Sequence, residues 1–174
     1  MTVAQTQPPD ISPAEFRAAM AALAAPVTVV TCYNAKGEPV GITVSAVASL
    51  SLDPPLILVC LDRRSSSFAV LTTTERFCVN VLGTGHEDLA LRFAAPGDRF
   101  AGIALLPAPA PALAAADLTI QCENYGTRDG GDHLILLGRL SAVDGVGRGG
   151  LVWHQRDFTA SPARQSPGRE GGQQ

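Results

Sequence analysis

Rings are scarce in this 174-residue chain: six Phe, two Tyr and one Trp, against 46% hydrophobic residues overall. A core must therefore be assembled from Val, Leu, Ile and Ala, and any flat aromatic surface the chemistry needs has to be borrowed from a cofactor. Charge of one sign is also short. Thirteen Lys and Arg stand against sixteen Asp and Glu, a net −3 with no block of like charge. The electrostatic footprint of a nucleic-acid partner is thus missing. No apolar run approaches the ~18 uninterrupted residues of a membrane span. The nearest stretch, Ala101 to Leu118, is broken by Pro107, Pro109 and Pro111. The opening MTVAQTQPPD lacks a basic and an apolar leader region, so the expectation is a soluble, cytoplasmic protein with no membrane partner. Cys32, Cys60, Cys78 and Cys122 include no CxxC and no nearby His pair, which speaks against zinc. Each lies in an apolar run and reads as a buried free thiol.

What is present is a series of short apolar runs between turn residues, with 17 Gly and 13 Pro. Ser12-Pro13-Ala14-Glu15 is a capping box with Pro at the first helical position, and Phe16, Met20 and Leu23 follow at helical spacing, which predicts a helix over about 13–24. Strands are expected at Val27–Tyr33, Gly41–Leu52, Leu56–Leu61, Phe77–Leu82, Leu118–Cys122, Leu134–Val143 and Leu151–His154. Short helices are expected at Phe68–Leu71, capped by one of the serines before it, and at His86–Phe93 with Leu89 and Phe93 inward. Residues 101–116 read as an Ala/Pro connector, and from Thr159 a polar tail is expected to be disordered. Strands outnumber helices and alternate apolar with polar. This predicts a mainly β fold, a small antiparallel barrel with peripheral helices, rather than a doubly wound sheet.

Several motifs bear on chemistry. Gly145-Val146-Gly147-Arg148-Gly149-Gly150 formally matches GxGxxG, but the strand-like LVWHQRDF follows it instead of a helix, so it reads as a Gly-rich hairpin loop. Thr43, Ser45, Ser49 and Ser51 would share one face of the strand 41–52, a pattern that fits either a solvent face or a ligand surface. One strand later, Asp62-Arg63-Arg64-Ser65-Ser66-Ser67 places two guanidinium groups and three hydroxyls at a strand-to-helix junction, a phosphate cradle without a P-loop. His133 follows Gly130-Gly131-Asp132 at the entry to a long strand and reads either as a turn residue or as part of a site. His86 and His154 read as structural or surface residues. No Ser-His-Asp or paired-carboxylate arrangement stands out.

Taken together, PVTVVT, GITVSAVASLSLDPPLILVCLD, FCVNVL, GGDH and LLGRL, in this order, resemble the short-chain flavin reductases, the small partners of two-component flavin monooxygenases. The resemblance spans about residues 14–158 and assigns 1–12 to an N-terminal extension, 13–158 to the domain and 159–174 to the tail. It implies a flavin-binding split β-barrel, antiparallel and Greek-key-like, usually a homodimer, that reduces FMN or FAD with NADH or NADPH and serves a flavin-dependent monooxygenase. Carried over by position, it puts Thr43, Val44, Ser45, Ala46, Ser49 and Leu50 along the isoalloxazine and ribityl chain. Arg64, Ser65, Ser66 and Ser67 would receive the phosphate, His133 would stand beside the nicotinamide as the catalytic-site histidine, and Phe93 would lie near the reduced pyridine. Pro26 replaces a frequent Gly, and Ala46 a frequent polar residue, so one flavin hydrogen bond would come from backbone alone. The other readings are a flavin- or haem-binding split barrel without turnover, and a pyridoxamine-phosphate-type oxidase; the GDH and SLSLDPP elements favour the reductase.

Overall fold

A computed structural model describes residues 11–147 and 149–162; the assignments to the N-terminal extension before residue 11, to Arg148 and to the tail from 163 lie outside the described residues. In chain order the elements are α1 (Pro13–Ala21), β1 (Ala25–Pro26), β2 (Thr28–Tyr33), β3 (Pro39–Val44), β4 (Val47–Ser51), β5 (Leu56–Asp62), α2 (Phe68–Thr73), β6 (Arg76–Val81), α3 (Glu87–Ala94), β7 (Leu105–Leu106), β8 (Ala112–Leu113), β9 (Leu118–Gly130), β10 (His133–Gly145), β11 (Leu151–His154) and β12 (Asp157–Ala160). Seven strands form one antiparallel sheet in the order β3-β2-β6-β9-β10-β5-β4, and β1-β11-β12 form a second. The mainly β, split-barrel expectation is met. No helix among the described residues is long and apolar enough to cross a membrane.

The expected single strand 41–52 is two strands. Residues 39–44 pair with β2 and residues 47–51 with β5, at opposite edges of the sheet. The chain changes partner at Ser45-Ala46, where Val47 N–H donates to Ser45 C=O and Cys60 N–H to Ala46 C=O, both at 3.0 Å. A bent strand at both edges closes the barrel and leaves β3 without a neighbour on its outer side. The alternation of residues runs through the bend without a break, which hides it from the sequence.

Val30, Val44, Val59, Leu61, Leu71, Phe77, Val79 and Leu136 fill the barrel interior. Val27, Val29, Leu82, Ala90, Phe93, Leu113 and Leu151 form a second core between the barrel wall, α3 and the small sheet. β2 contributes to both, which explains its continuous apolar run. β9 and β10, thirteen residues each, form a long hairpin closed by Gly131-Asp132, with Gly131 at φ +76 in the left-handed region.

Four further expectations change. Helix α1 keeps its capping box, Ser12 N–H donating to Glu15 Oε2 at 2.8 Å and Glu15 N–H to Ser12 Oγ at 3.2 Å, but Phe16, Met20 and Leu23 are all exposed among the described residues, none of which packs over them. Ser67 occupies the N-cap position of α2 without capping it, because its hydroxyl is engaged elsewhere. The Gly-rich segment after Gly145 is not a hairpin loop, since β11 pairs with β1 and β12 and not with β10. Strand β12 carries order to Ala160, past the expected start of the tail.

The connector 101–116 is also more than a linker. Asn80, fully buried, accepts from Leu113 N–H on Oδ1 at 2.7 Å and donates from Nδ2 to Val29 C=O at 2.9 Å and Thr31 Oγ1 at 3.0 Å. That side chain ties the connector to the barrel wall and places Leu113 in the second core. Asn80→Leu would strand the buried Leu113 N–H and take the second donor from Val29 C=O and the amide donor from Thr31 Oγ1, an unpaired buried group costing about 1–3 kcal/mol. A destabilisation of about 3 kcal/mol is expected, read as a lower urea midpoint at unchanged slope.

Candidate active site

β3 is an edge strand, and the hydrogen-bond alternation decides which of its peptide groups are free. Leu82 N–H donates to Val27 C=O, which turns the peptide groups of residues 27, 29 and 31 toward β6 and those of 28, 30 and 32 toward β3. Gly41 and Thr43, opposite Thr31 and Val29, therefore point their N–H and C=O away from β2. Where β3 parts from β5 this free edge borders a cleft of about 170 Å³, lined by Ile42, Thr43, Val44, Ser45 and Ala46 on one wall, Cys60, Leu61 and Asp62 on the other, and His133.

The hairpin tip and the turn after β5 meet at this cleft. His133 pairs in register with Asp62, and Arg63 N–H donates to Asp132 C=O at 3.2 Å. Arg63 Nε donates to Gly131 C=O at 3.0 Å, and its Nη2 contacts Asp129. Arg64 grips Asp62 through Nε at 3.1 Å and Nη2 at 2.8 Å while its backbone N–H caps the same carboxylate at 2.8 Å. These bonds hold the Asp62 carboxyl well below the usual carboxylate range, so it is ionised throughout the working pH of the protein. His133 Nδ1 lies 2.7 Å from Asp132 Oδ1. The contact engages Nδ1 of the ring and leaves Nε2 free to meet a ligand.

The sequence-derived site residues separate into groups. Thr43, Val44, Ser45, Ala46 and His133 come together at the cleft. Thr43 has only its backbone to offer there, since its hydroxyl donates to Ala90 C=O of α3 at 2.6 Å. Arg64, Ser65 and Ser66 lie on the turn that leaves the Asp62 end of the cleft. Ser67 is buried: its hydroxyl donates to Gly41 C=O at 3.3 Å and accepts from Arg99 Nη1 at 3.1 Å. Ser49 and Leu50 fall beyond the bend, on exposed β4, and are not brought to this chain's cleft. Phe93 is enclosed in the second core, edge-on to Phe100 at 5.0 Å, so its ring does not reach the cleft.

Sequence reasoning missed Cys60, Asp62 and Arg99. The first two had a usable signal, because Cys60 and Asp62 stand at the C-terminal end of the run that leads into the Arg/Ser turn; Arg99 had none.

The sequence pattern of the family described as flavin reductase like domain matches residues 20–162. The chain belongs to this flavin reductase like family. It is 38% identical over 156 residues to the NADH:riboflavin 5'-phosphate oxidoreductase of Streptomyces pristinaespiralis, covering 86% of this chain and 89% of that one. It is 34% identical over 151 residues, 85% of its own length, to the stachydrine N-demethylase reductase subunit Stc3 of Rhizobium meliloti (strain 1021). The chain spans 66% of that subunit's length and 46% of the length of another relative from the same organism. Among solved structures, the NADH:FAD oxidoreductase SgcE6 of Streptomyces globisporus, in complex with NAD and FAD fragments, superposes with a TM-score of 0.78 at 30% identity over 90% of this chain and 94% of that one.

In this member of the family, cysteine chemistry reports on the cleft. Cys32, Cys78 and Cys122 are buried, and burial pushes their thiols up to about 11, 12 and 12. Cys60 is only partly buried, and its thiol is also raised by desolvation. The native protein should therefore alkylate at Cys60 alone, more slowly than free cysteine at pH 7.5, with a rate that climbs through pH 9 as the thiolate forms. Peptide mapping after iodoacetamide checks this, and prior labelling of any other cysteine would contradict the cleft geometry.

Proposed function

We propose that the chain is an NAD(P)H:flavin oxidoreductase that passes a hydride from NADH or NADPH to FMN or FAD and delivers the reduced flavin to a partner monooxygenase. One observation carries the reading: the cleft offers the unpaired Thr43 peptide groups and Ser45 at one end, and Arg64 with Ser65 and Ser66 beyond Asp62 at the other. That donor set fits a flavin, with peptide edge for a ring that both donates and accepts, and a cation with hydroxyls for a phosphate. The names of the relatives point the same way.

The bound flavin supplies the hydride acceptor, its N5, so no acid–base constellation is required of the protein. The protein's task is placement. Thr43 and Ala46 backbone and the Ser45 hydroxyl fix the ring at the barrel opening, and the aliphatic wall of Ile42, Val44 and Leu61 keeps water from that side. His133, locked by Asp132, presents Nε2 to a nicotinamide carboxamide as a positioning contact. Ser67 and Phe93 act from behind, by holding Gly41 and the β3 edge.

A homodimer fits the outer face of the bent strand. Leu52 is 91% and Leu50 46% exposed, and beside them an apolar groove runs along Val47, Leu56, Ile57 and Leu140. A cytoplasmic site of action is consistent with four unpaired thiols and with the need for a nicotinamide pool.

The decisive assay follows NADH and NADPH absorbance with and without riboflavin, FMN or FAD. Flavin-dependent oxidation is expected; its absence with both nicotinamides overturns the reading in favour of a non-turnover barrel. His133→Ala should raise the apparent KM for NADH about three- to tenfold, the worth of one hydrogen bond, and change flavin affinity less. The solution mass should be near twice 18.0 kDa.

A further inference from the structure

Two adjacent arginines leave β5, and their side chains part company. Arg64 folds back on the Asp62 carboxylate and stays exposed on the serine turn. Arg63 crosses the other way, to the β9–β10 hairpin: its Nε donates to Gly131 C=O at 3.0 Å, its Nη2 meets the Asp129 carboxylate, and its peptide N–H donates to Asp132 C=O at 3.2 Å. The guanidinium carbon also stands 5.9 Å from the centre of the Phe68 ring, at the start of α2. The ladder between β5 and β10 runs from the Leu56–Arg139 pair to the Asp62–His133 pair and stops there. Past that pair, among the described residues, every hydrogen bond that leaves the tip 129–132 for another part of the chain ends on Arg63. His133 is the residue at which tip becomes strand, so the hold on the tip sets where its imidazole stands.

We infer that Arg63 is a positioning residue: its grip on the hairpin tip holds His133 at the cleft mouth, and its loss is felt in the KM for the nicotinamide and not in flavin affinity. The inference rests on the oxidoreductase reading above and on the place given there to His133. The geometry of the grip is that of a fork. Nε and Nη2, neighbours on one edge of the guanidinium, meet a carbonyl and a carboxylate two residues apart, which a single ammonium on a flexible stem does not reproduce. The side chains of Arg63 and Asp129 are 40% and 81% exposed, and ion pairs so exposed add little to stability. What the pair does fix is direction. Without the guanidinium the tip keeps only the Arg63 peptide bond to Asp132 C=O, a single pivot about which the residues beside His133 can swing. Arg64, which makes no contact with the tip carbonyls, stays available for the phosphate, so the two arginines divide the ligands between them.

The test compares wild type with Arg63→Met, which keeps an apolar stem against Phe68, Arg63→Lys, Asp129→Asn, His133→Ala and the Arg63→Met/His133→Ala double variant. The KM for NADH is measured with riboflavin as acceptor, and riboflavin and FMN affinities are read by flavin fluorescence. Arg63→Met should raise the KM about three- to tenfold, the worth of one hydrogen bond, with Asp129→Asn giving a smaller rise and Arg63→Lys recovering part of the loss. Both flavin affinities should stay within about twofold of wild type, and in the His133→Ala background Arg63→Met should add less than about twofold, because the two residues act through one contact. An unchanged KM in both Arg63→Met and Asp129→Asn, or a rise that persists in full without His133, overturns the inference. A loss of FMN affinity with riboflavin unaffected overturns it too, by making Arg63 a phosphate ligand. Hydrogen exchange reads the grip without turnover: the peptide spanning 129–134 should exchange faster in Arg63→Met, and unchanged exchange there refutes the grip even where NADH is oxidised normally. A wild type that oxidises no NADH with any flavin sinks the oxidoreductase reading instead, and the grip is then judged by exchange.

Discussion

An antiparallel barrel closes only when its last strand finds its first, and here closure falls to one strand that changes partners at Ser45-Ala46. Its first half hydrogen-bonds to β2, its second half to β5. A straight strand could not serve both edges, so the ladder opens at the bend. Unpaired peptide groups on an edge strand are ordinarily a liability that invites another chain to pair. In this fold the exposure is short, recessed between β3 and β5, and flanked by His133 and the Asp62 turn, which shields it from another chain's strand and makes it the candidate ligand edge. The position of the site is therefore a consequence of how the barrel is closed.

The surroundings hold that edge still. Behind Gly41 an added Cβ would stand 2.9 Å from Thr31 Cγ2 and 3.0 Å from Phe93, so β3 can lie flat on the second core only with glycine there. Gly138 plays a similar part on the opposite wall, where a Cβ would fall 2.3 Å from the Phe77 ring. At the mouth of the cleft the contacts are different in kind: Arg63 with Asp129 and Gly131, Arg64 with Asp62, and His133 with Asp132. Exposed pairs of this sort contribute little to stability. Their effect is geometric, since together they join the β9–β10 hairpin tip to the turn that carries the serines. The rigid part of the site rests on packing and the adjustable part on charge.

Much of this was legible in the residues. VTVVTCY and LILVCL read as strands because each is buried on two faces, and the capping box announced α1 to within a few residues of its end. The bend was hidden because Val44, Ala46, Ala48 and Leu50 carry the apolar alternation straight through it; only the pairing of each half with a different edge distinguishes two strands from one. The hydroxyl face was half misread for the same reason: Thr43 turns to the α3 carbonyl, while Ser49 lies on the far side of the bend. Phe93 had the right spacing for an inward helix residue, and it is inward, edge-on to Phe100 in the second core. Arg99 escaped notice because its partners, Gly41 and Ser67, lie 58 and 32 residues away, a separation that carries no local signature.

The shortage of rings bears on how such a site can work. Phe77 and Phe93 are sealed in the cores, Trp153 and Phe158 meet edge-on at 5.0 Å in the small sheet, and among the described residues no Phe, Tyr or Trp lines the cleft beside His133. An aromatic side chain pressed there would compete with a nicotinamide for the face of a planar ligand. An aliphatic wall on one side, peptide groups at the edge and a single imidazole at the mouth leave the other face open. In the proposed reaction that open face is where the two rings must meet, so the aromatic scarcity of the chain and the transfer of hydride between borrowed rings are parts of the same design constraint.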